Sequence, residues 1–435
     1  MVQDQLRAGE YHRKHIHFVG IKGTGVLGLA TVLYDMGAII TGSDVADTFV
    51  TDSVLTDLGL TALPFSVHNI TKDISLVIHS TAYNDDHEEI ARARELQIPT
   101  ETYTEALARM VNDHRSIVVT GSHGKTTTSA MIATMLVDAG KDPTAIIGGM
   151  VSAWHRTARH GASDLMVVEG DEYQKKILSY RAYIAVITNV EWDHPDFFHN
   201  AAEYIDMFET FIKGLSSDAT LVISPDAARM LKDAIAMTKA TVMEYESIDV
   251  PLHVLGAHNA MNAGAALAVA TALGLDETLA KKSLSRFQGT KRRMEYYSDP
   301  EAERVLMDDF AHHPSEVVAT LSALLARYPQ RHITAVFQAH TYTRTRTFLY
   351  EFARAFRDAN AVIVLPIFAS AREVSTVITT SELTRAIARN HSNVREVRSI
   401  EEAVSIIRSE EKTPSVIVAL GAGEQWRVVN ALRAS

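Results

Sequence analysis

The chain has 435 residues, 46% apolar and 22% charged, which suits a globular protein long enough for two or three domains. Its net charge of −11 leaves no basic excess for a generic nucleic-acid binder, and the lack of cysteine excludes disulfides, thiolate catalysis and zinc–thiolate sites. The start, Met1-Val-Gln-Asp-Gln-Leu-Arg7, has no apolar signal-like core and no run is long and apolar enough to span a bilayer, so a cytoplasmic protein without a membrane partner is expected.

In the first segment, His15-Ile-His-Phe-Val19 predicts a strand. It runs into Gly20-Ile-Lys22-Gly23-Thr24-Gly25-Val-Leu-Gly28 and a helical pattern through Met36. A second strand, Ala38 to Thr41, ends in Gly42-Ser43-Asp44. Glycines at a strand–helix turn with an acid about 20 residues on mark the start of a βαβ unit of the dinucleotide-binding kind. The same glycines also suit simple helix packing. Ser75 to Ser80 reads as a further strand and Glu88 to Leu96 as a helix.

The second segment begins near Asp113 with the strand Ser116 to Thr120 and the loop Gly121-Ser122-His123-Gly124-Lys125-Thr126-Thr127-Thr128. A chain that leaves a strand, turns through glycines and enters a helix exposes free backbone N–H groups. With the helix dipole and a lysine they form a phosphate cradle. Val119 stands where the general pattern has its first glycine, so this is a shortened variant. The following helix carries the apolar stripe Met131, Ile132, Met135 and Leu136 and stops near Gly140. Leu165 to Val168, Tyr183 to Thr188 and Ala219 to Ser224 are continuous apolar runs, as in a buried parallel sheet. Polar clusters follow these runs. Glu169-Gly170-Asp171-Glu172 suits magnesium beside a phosphate loop. Asn189-Val-Glu-Trp-Asp193-His194 suits a metal, a phosphate or an ordinary loop. His258-Asn259, which opens a helix running to Leu273, suits a helix cap or an adenine edge.

The third segment follows Gly289-Thr-Lys-Arg-Arg293-Met294. Strands are expected at Val305 to Met307, Ile333 to Phe337, Ala361 to Leu365 and Ser415 to Leu420, with helices at Ser315 to Tyr328 and Thr347 to Phe356. Asp308-Asp309-Phe310-Ala-His312-His313 reads as a metal site or as an acid pair with phosphate-orienting histidines. Gln338-Ala-His340-Thr341-Tyr342-Thr-Arg344-Thr-Arg346 places arginines in a hydroxyl-rich turn suited to a carboxylate or phosphate. Every cluster follows an apolar strand, so all can face one cleft.

Taken in order, these motifs resemble the Mur ligase family, ATP-dependent amide-forming enzymes of peptidoglycan synthesis. The carrying stretches are His17 to Gly25, Gly121 to Thr127, Asp171-Glu172, Asp193-His194, His258-Asn259, Lys291 to Arg293, Asp308 to Pro314, Phe337 to Arg344 and Gly421 to Gly423. The resemblance implies an α/β fold of three domains: a Rossmann-like UDP-sugar domain (1–112), a central P-loop ATPase-like parallel-sheet domain binding ATP (113–291) and a C-terminal Rossmann-like amino-acid domain (292–435). It implies that ATP phosphorylates the lactyl carboxylate of UDP-N-acetylmuramate and that L-alanine attacks the acyl phosphate, in a monomer or homodimer.

The resemblance also assigns roles. Gly121, Ser122, His123, Gly124, Lys125, Thr126 and Thr127 hold phosphates. His258, Asn259, Arg293 and Asp309 grip the rest of ATP. Thr126, Glu172 and His194 bind Mg2+. Gly23, Thr24, Gly25, Asp44 and Ser80 hold the UDP-sugar, and His312, His340, Tyr342 and Arg344 the amino acid. Lys125, Glu172, His194, Asp309 and Arg344 form the catalytic set. Thr341 stands where many relatives carry a second arginine, and Ala219 to His258 looks short. Asp171-Glu172-Tyr173 also resembles a ligase that recycles a whole tripeptide, whereas Gln338 to Arg344 favours alanine. A non-catalytic nucleotide-binding regulator would not need Lys125, Glu172, His194 and Asp309 together.

Overall fold

A computed structural model describes residues 11–47, 49, 51–369, 373, 377–410 and 412–433, so the opening heptapeptide lies outside the described residues. Three sheets follow one another along the chain. The first contains β1 (His15–Val19), β2 (Ile39–Ser43), β3 (Ile74–His79) and β4 (Thr100–Thr102), all parallel, in the order β2-β1-β3-β4. The strand order reverses at β1, so its glycine turn leaves at the switch point where ligands of open α/β sheets bind.

The second sheet contains β5 (Arg115–Thr120), β6 (Thr144–Val151), β7 (Arg156–Arg159), β8 (Leu165–Glu169), β9 (Ile184–Ile187), β10 (Thr220–Ile223) and β11 (Thr241–Glu244). Its order is β11-β10-β9-β5-β8-β6-β7, and only β7 runs antiparallel to its neighbour. β9, β5 and β8, buried along almost their whole length, lie side by side in the middle. Alternate residues serve opposite faces, the period of a strand. Val118, Val168 and Ile187 share a core with Leu27, Leu33 and Met110 of the first domain. Ile117, Val167 and Val186 pack on Met131, Ile132 and Ala265.

The third sheet contains β12 (Glu295–Tyr296), β13 (Arg304–Asp309), β14 (His332–Gln338), β15 (Ala361–Val364), β16 (Val394–Glu396) and β17 (Ser415–Gly421), in the order β12-β13-β17-β14-β15-β16. Only β12 is antiparallel there. Met307, Phe337 and Val418 face one core, and Leu306, Val336 and Ile417 the other.

Two expectations are corrected. The helix expected over Thr347 to Phe356 is two short helices, Tyr342–Thr347 and Leu349–Phe352. Phe348 between them leaves helical geometry (φ −101°, ψ 24°) and sets its ring 5.5 Å from Trp192 and 4.7 Å from His313. The strand expected to end at Met307 continues through Asp309, so Asp308 and Asp309 project to opposite faces and do not form an acid pair. No helix among the described residues is long and apolar enough to cross a membrane.

Candidate active site

The central strand β5 delivers the chain to the phosphate loop at the carboxyl edge of the second sheet. Gly124, the last loop residue, has φ +81°, and a Cβ there would sit 2.5 Å from Asn262 Oδ1, so only glycine suits the turn. The helix Lys125–Asp138 begins at once. Lys125 folds back over the loop, and its Nζ donates to Gly121 O at 2.6 Å, Ser122 O at 3.0 Å and Glu172 Oε1 at 3.1 Å. Burial opposes the lysine charge, but Glu172 and then Glu169 outweigh it and raise the pKa. Burial likewise works against ionised Glu172, yet Lys125 and then His194 pull its pKa down to about 2. Both groups are therefore charged at neutral pH.

Beyond β9, Asp193 and His194 turn back toward this pair. His194 sits at φ +54° and brings Nε2 to 3.3 Å from Glu172 Oε1. A carboxylate oxygen and an imidazole nitrogen side by side are a donor set that suits a divalent cation. On the other side of Lys125, Thr126 donates its hydroxyl to Glu169 Oε1 at 3.1 Å, and Arg293 Nη2 lies 3.4 Å from the same hydroxyl.

The third domain closes over this edge. Arg344, in the first turn of Tyr342–Thr347, is 4% exposed, and its Nε donates to Asp193 Oδ1 at 2.8 Å. Its Nη1 lies 3.2 Å from His340 Nδ1. Burial and then Arg344 keep His340 neutral, with a pKa of about 4. Burial lowers His312 to about 3 despite Glu316. His312 Nδ1 is 3.0 Å from Phe310 O, which places its hydrogen on Nδ1 and leaves Nε2 as an acceptor. Tyr342 packs against the third-domain core, and its backbone N–H donates to Glu373 at 2.8 Å. Lys125, Thr126, Glu172, Asp193, His194, His312, His340 and Arg344 line one cavity of about 290 Å3.

A second cavity of about 520 Å3 adjoins it, sharing His123, Gly124, Arg293 and Glu316 as its wall. It is lined by Thr127, His258, Asn259 and Asp309. His258 and Asn259 open the helix Ala257–Ala272, and the Asn259 amide donates to Leu255 O at 2.7 Å. Asp309 accepts the Thr320 hydroxyl at 2.6 Å, and burial lifts its carboxyl to about 6. Asp308, on the opposite face, pairs with Arg292 at 3.0 Å and lines neither cavity.

Gly23, Thr24, Gly25, Asp44 and Ser80 gather at the carboxyl edge of the first sheet and border neither cavity. Gly23 caps the helix Thr24–Asp35 and Gly25 lies under the Tyr103 hydroxyl. Asp44 accepts the Lys22 and Val45 backbone N–H groups at 2.7 and 2.8 Å, so it shapes the glycine turn itself. Ser80 accepts Ala82 N at 3.2 Å.

Three supports were not legible as site residues. Tyr204 meets the Ser122 hydroxyl at 2.9 Å under the phosphate loop. Glu191 reaches His123 Nε2 at 3.1 Å, and Glu316 lies 3.3 Å from its Nδ1. The local sign for Glu316 is Pro314 followed two residues later by an acid, a helix start with a capping glutamate.

Comparison with known proteins agrees with this geometry. The chain matches the models for the Mur ligase family catalytic domain over residues 15–115, the Mur ligase middle domain over 119–247 and the Mur ligase glutamate ligase domain over 292–423. The UDP-N-acetylmuramate–L-alanine ligase of Desulfitobacterium hafniense is 36% identical over 446 residues, covering 96% of this chain and 99% of that one. The enzyme of the same name from Cyanothece is 35% identical, covering 98% and 96%. The crystal structure of the UDP-N-acetylmuramate–alanine ligase of Thermotoga maritima superposes with a TM-score of 0.79 at 25% identity, covering 97% of this chain and all of that one. With three sheets in family order, a shared cleft and matches spanning nearly its whole length, the chain belongs to the Mur ligase family.

Proposed function

We propose that the chain joins L-alanine to the lactyl carboxylate of UDP-N-acetylmuramate, with hydrolysis of ATP to ADP and phosphate, in cytoplasmic peptidoglycan precursor synthesis. The observation that carries this is the convergence of Lys125, the Glu172–His194 pair and Arg344 on one cavity that opens onto a nucleotide-sized one. On this reading residues 1–112 bind the UDP-sugar, 113–291 bind ATP and 292–435 bind the amino acid.

Phosphoryl transfer depends on positioning and charge neutralisation. Lys125 is charged, half-buried and pinned over the loop, fit to hold the β- and γ-phosphates. Glu172 and His194 would hold magnesium, with the Thr126 hydroxyl for a second ion. When bound, such a metal would supply positive charge to offset that developing on the transferred phosphoryl group. His258, Asn259 and Asp309 line the space for adenosine, with Arg293 at its phosphate end. The γ-phosphoryl passes to the lactyl oxygen to give an acyl phosphate. The alanine nitrogen then attacks its carbonyl, the tetrahedral intermediate collapses and phosphate leaves. With Nε on Asp193, Arg344 keeps terminal N–H groups for the alanine carboxylate. Neutral His312 offers Nε2 to the amine, whose excess proton leaves to solvent.

Phosphate release tests the reading: purified protein, ATP, magnesium and UDP-N-acetylmuramate with L-alanine, glycine, L-serine or L-alanyl-γ-D-glutamyl-diaminopimelate. Release with L-alanine is expected. No release with any amine overturns the ligase reading, and release only with the tripeptide overturns the alanine assignment.

A further inference from the structure

Glu316 has two oxygens with different duties. Oε2 accepts the backbone N–H groups of His312 at 2.9 Å and His313 at 3.1 Å, closing the capping box of the helix Pro314–Arg327. That accounts for the helix start, and it needs one oxygen only. Oε1 leaves the third domain. It lies 3.3 Å from His123 Nδ1 in the phosphate loop and 3.8 Å from the Arg293 guanidinium. The other ring nitrogen of His123 meets Glu191 Oε2 at 3.1 Å, and the backbone N–H of His123 donates to Asn189 Oδ1 at 2.9 Å. His123 thus faces one carboxylate from each side of the cleft, Glu191 through a hydrogen bond and Glu316 through an ion pair without hydrogen-bond geometry. Burial opposes its charge, but Glu316 and then Glu191 outweigh it, lifting the imidazolium pKa to about 10.

We propose that Glu316 is a positioning residue for phosphoryl transfer. Through the His123 imidazolium and the Arg293 guanidinium it docks the third domain onto the phosphate loop, seating Asp309 over the nucleotide. The pairing joins the two cavities, because Glu316 and His123 line both. A cap alone would not need a charged partner across the cleft. The Glu316–His123 contact links residues 193 positions apart, taking 123 from 316. The proposal deepens the ligase reading and rests on it for the identity of the nucleotide.

The test reads nucleotide binding without an amine or UDP-sugar, so a protein that fails to ligate leaves its outcome intact. The magnesium complex of a non-hydrolysable ATP analogue is titrated by calorimetry into the full-length parent, Glu316→Gln, His123→Gln and the double variant. Glutamine keeps an acceptor oxygen for the cap and removes the charge. Each single variant is expected to bind at least about tenfold more weakly, and the double variant no more than about threefold below the weaker single, the non-additivity of a directly coupled pair. A cap acting alone predicts that Glu316→Gln, which keeps the cap, binds like the parent, and two independent contributions predict losses that multiply. Multiplying losses, or a Glu316→Gln affinity within about twofold of the parent, overturns the proposal. Thermal unfolding of each variant checks that it is folded; if Glu316→Gln is not, His123→Gln alone binding within about twofold of the parent overturns it equally.

Discussion

Arg344 and Asp193 form an ion pair across the cleft, Nε to Oδ1 at 2.8 Å, with exposures of 4% and 2%. One comes from the third domain, the other from the loop after β9. Burial disfavours the ionised Asp193, and Arg344 holds its carboxyl well below the usual range. Removing one partner of such a pair strands a buried charge, at about 3–5 kcal/mol. Asp193→Asn is therefore expected to destabilise the protein and to free the guanidinium from the orientation in which it meets the amino acid. In steady-state assays KM for L-alanine should rise at least about tenfold while KM for ATP changes less than about twofold. An equal rise in both would place Arg344 outside the amine subsite.

Lys125→Ala removes the cation that Gly121, Ser122 and Glu172 hold over the loop. Turnover is expected to fall on the order of 10³-fold, comparable to losing a preorganised electrostatic donor. UDP-N-acetylmuramate binding, followed by calorimetry, should survive, because the first-sheet residues lie outside both cavities. Equal loss of both would contradict the division of labour among the domains.

Gly264 sits in the helix Ala257–Ala272 that carries His258 and Asn259. Alanine in place of a mid-helix glycine is ordinarily stabilising, by about 0.5–1 kcal/mol. Here a Cβ would fall 1.8 Å from the Glu246 carbonyl oxygen, where the short return from β11 crosses the helix. Gly264→Ala is expected to reverse the usual sign and destabilise by about 1–3 kcal/mol, the scale of core overpacking. Urea unfolding measures it directly, and a variant as stable as the parent would falsify the crossing.

Much of this was legible in the chain. The phosphate loop, the glycine turn after β1 and the apolar runs of β5, β8, β9 and β17 are local patterns. Their polar clusters fall at strand ends, so the clustering of Lys125, Glu172 and His194 followed from sheet geometry alone. Long-range pairings were not legible. Nothing near Arg344 names Asp193, and Glu316 reads as a helix start until folding brings His123 to it. The β6–β7 hairpin is not legible in the sequence because Gly148 and Gly149 interrupt the strand pattern. Phe348 broke an expected helix through tertiary packing, which overrides local propensity. Asp308 and Asp309 looked like a pair because adjacent residues are close in sequence, whereas on a strand they face apart.

Asp309 ties the nucleotide cavity to pH. Burial lifts its carboxyl from 3.8 to about 6, against the pull of the Thr320 hydroxyl and Arg293. An acid whose folded pKa is raised keeps its proton longer in the native state than in the unfolded chain. Between about pH 4 and 6 the native state binds more protons, so stability falls as pH rises, by about 3 kcal/mol for this group. The carboxylates held low, Glu172 and Glu316 among them, keep their contribution through most of that window and lose it as pH falls below it, whereas His123, lifted to about 10, loses its contribution above it. Asp308, also raised, to about 7, overlaps the window, so the comparison must be made between variants and not along one curve. Asp309→Asn keeps an acceptor for Thr320 and removes the titration. Relative to the parent it should gain stability progressively from pH 4 to 6 and hold that gain at pH 8, while KM for ATP rises. A stability difference that does not change across that range would mean that Asp309 is already ionised without penalty and that the cavity is wetter than its lining implies.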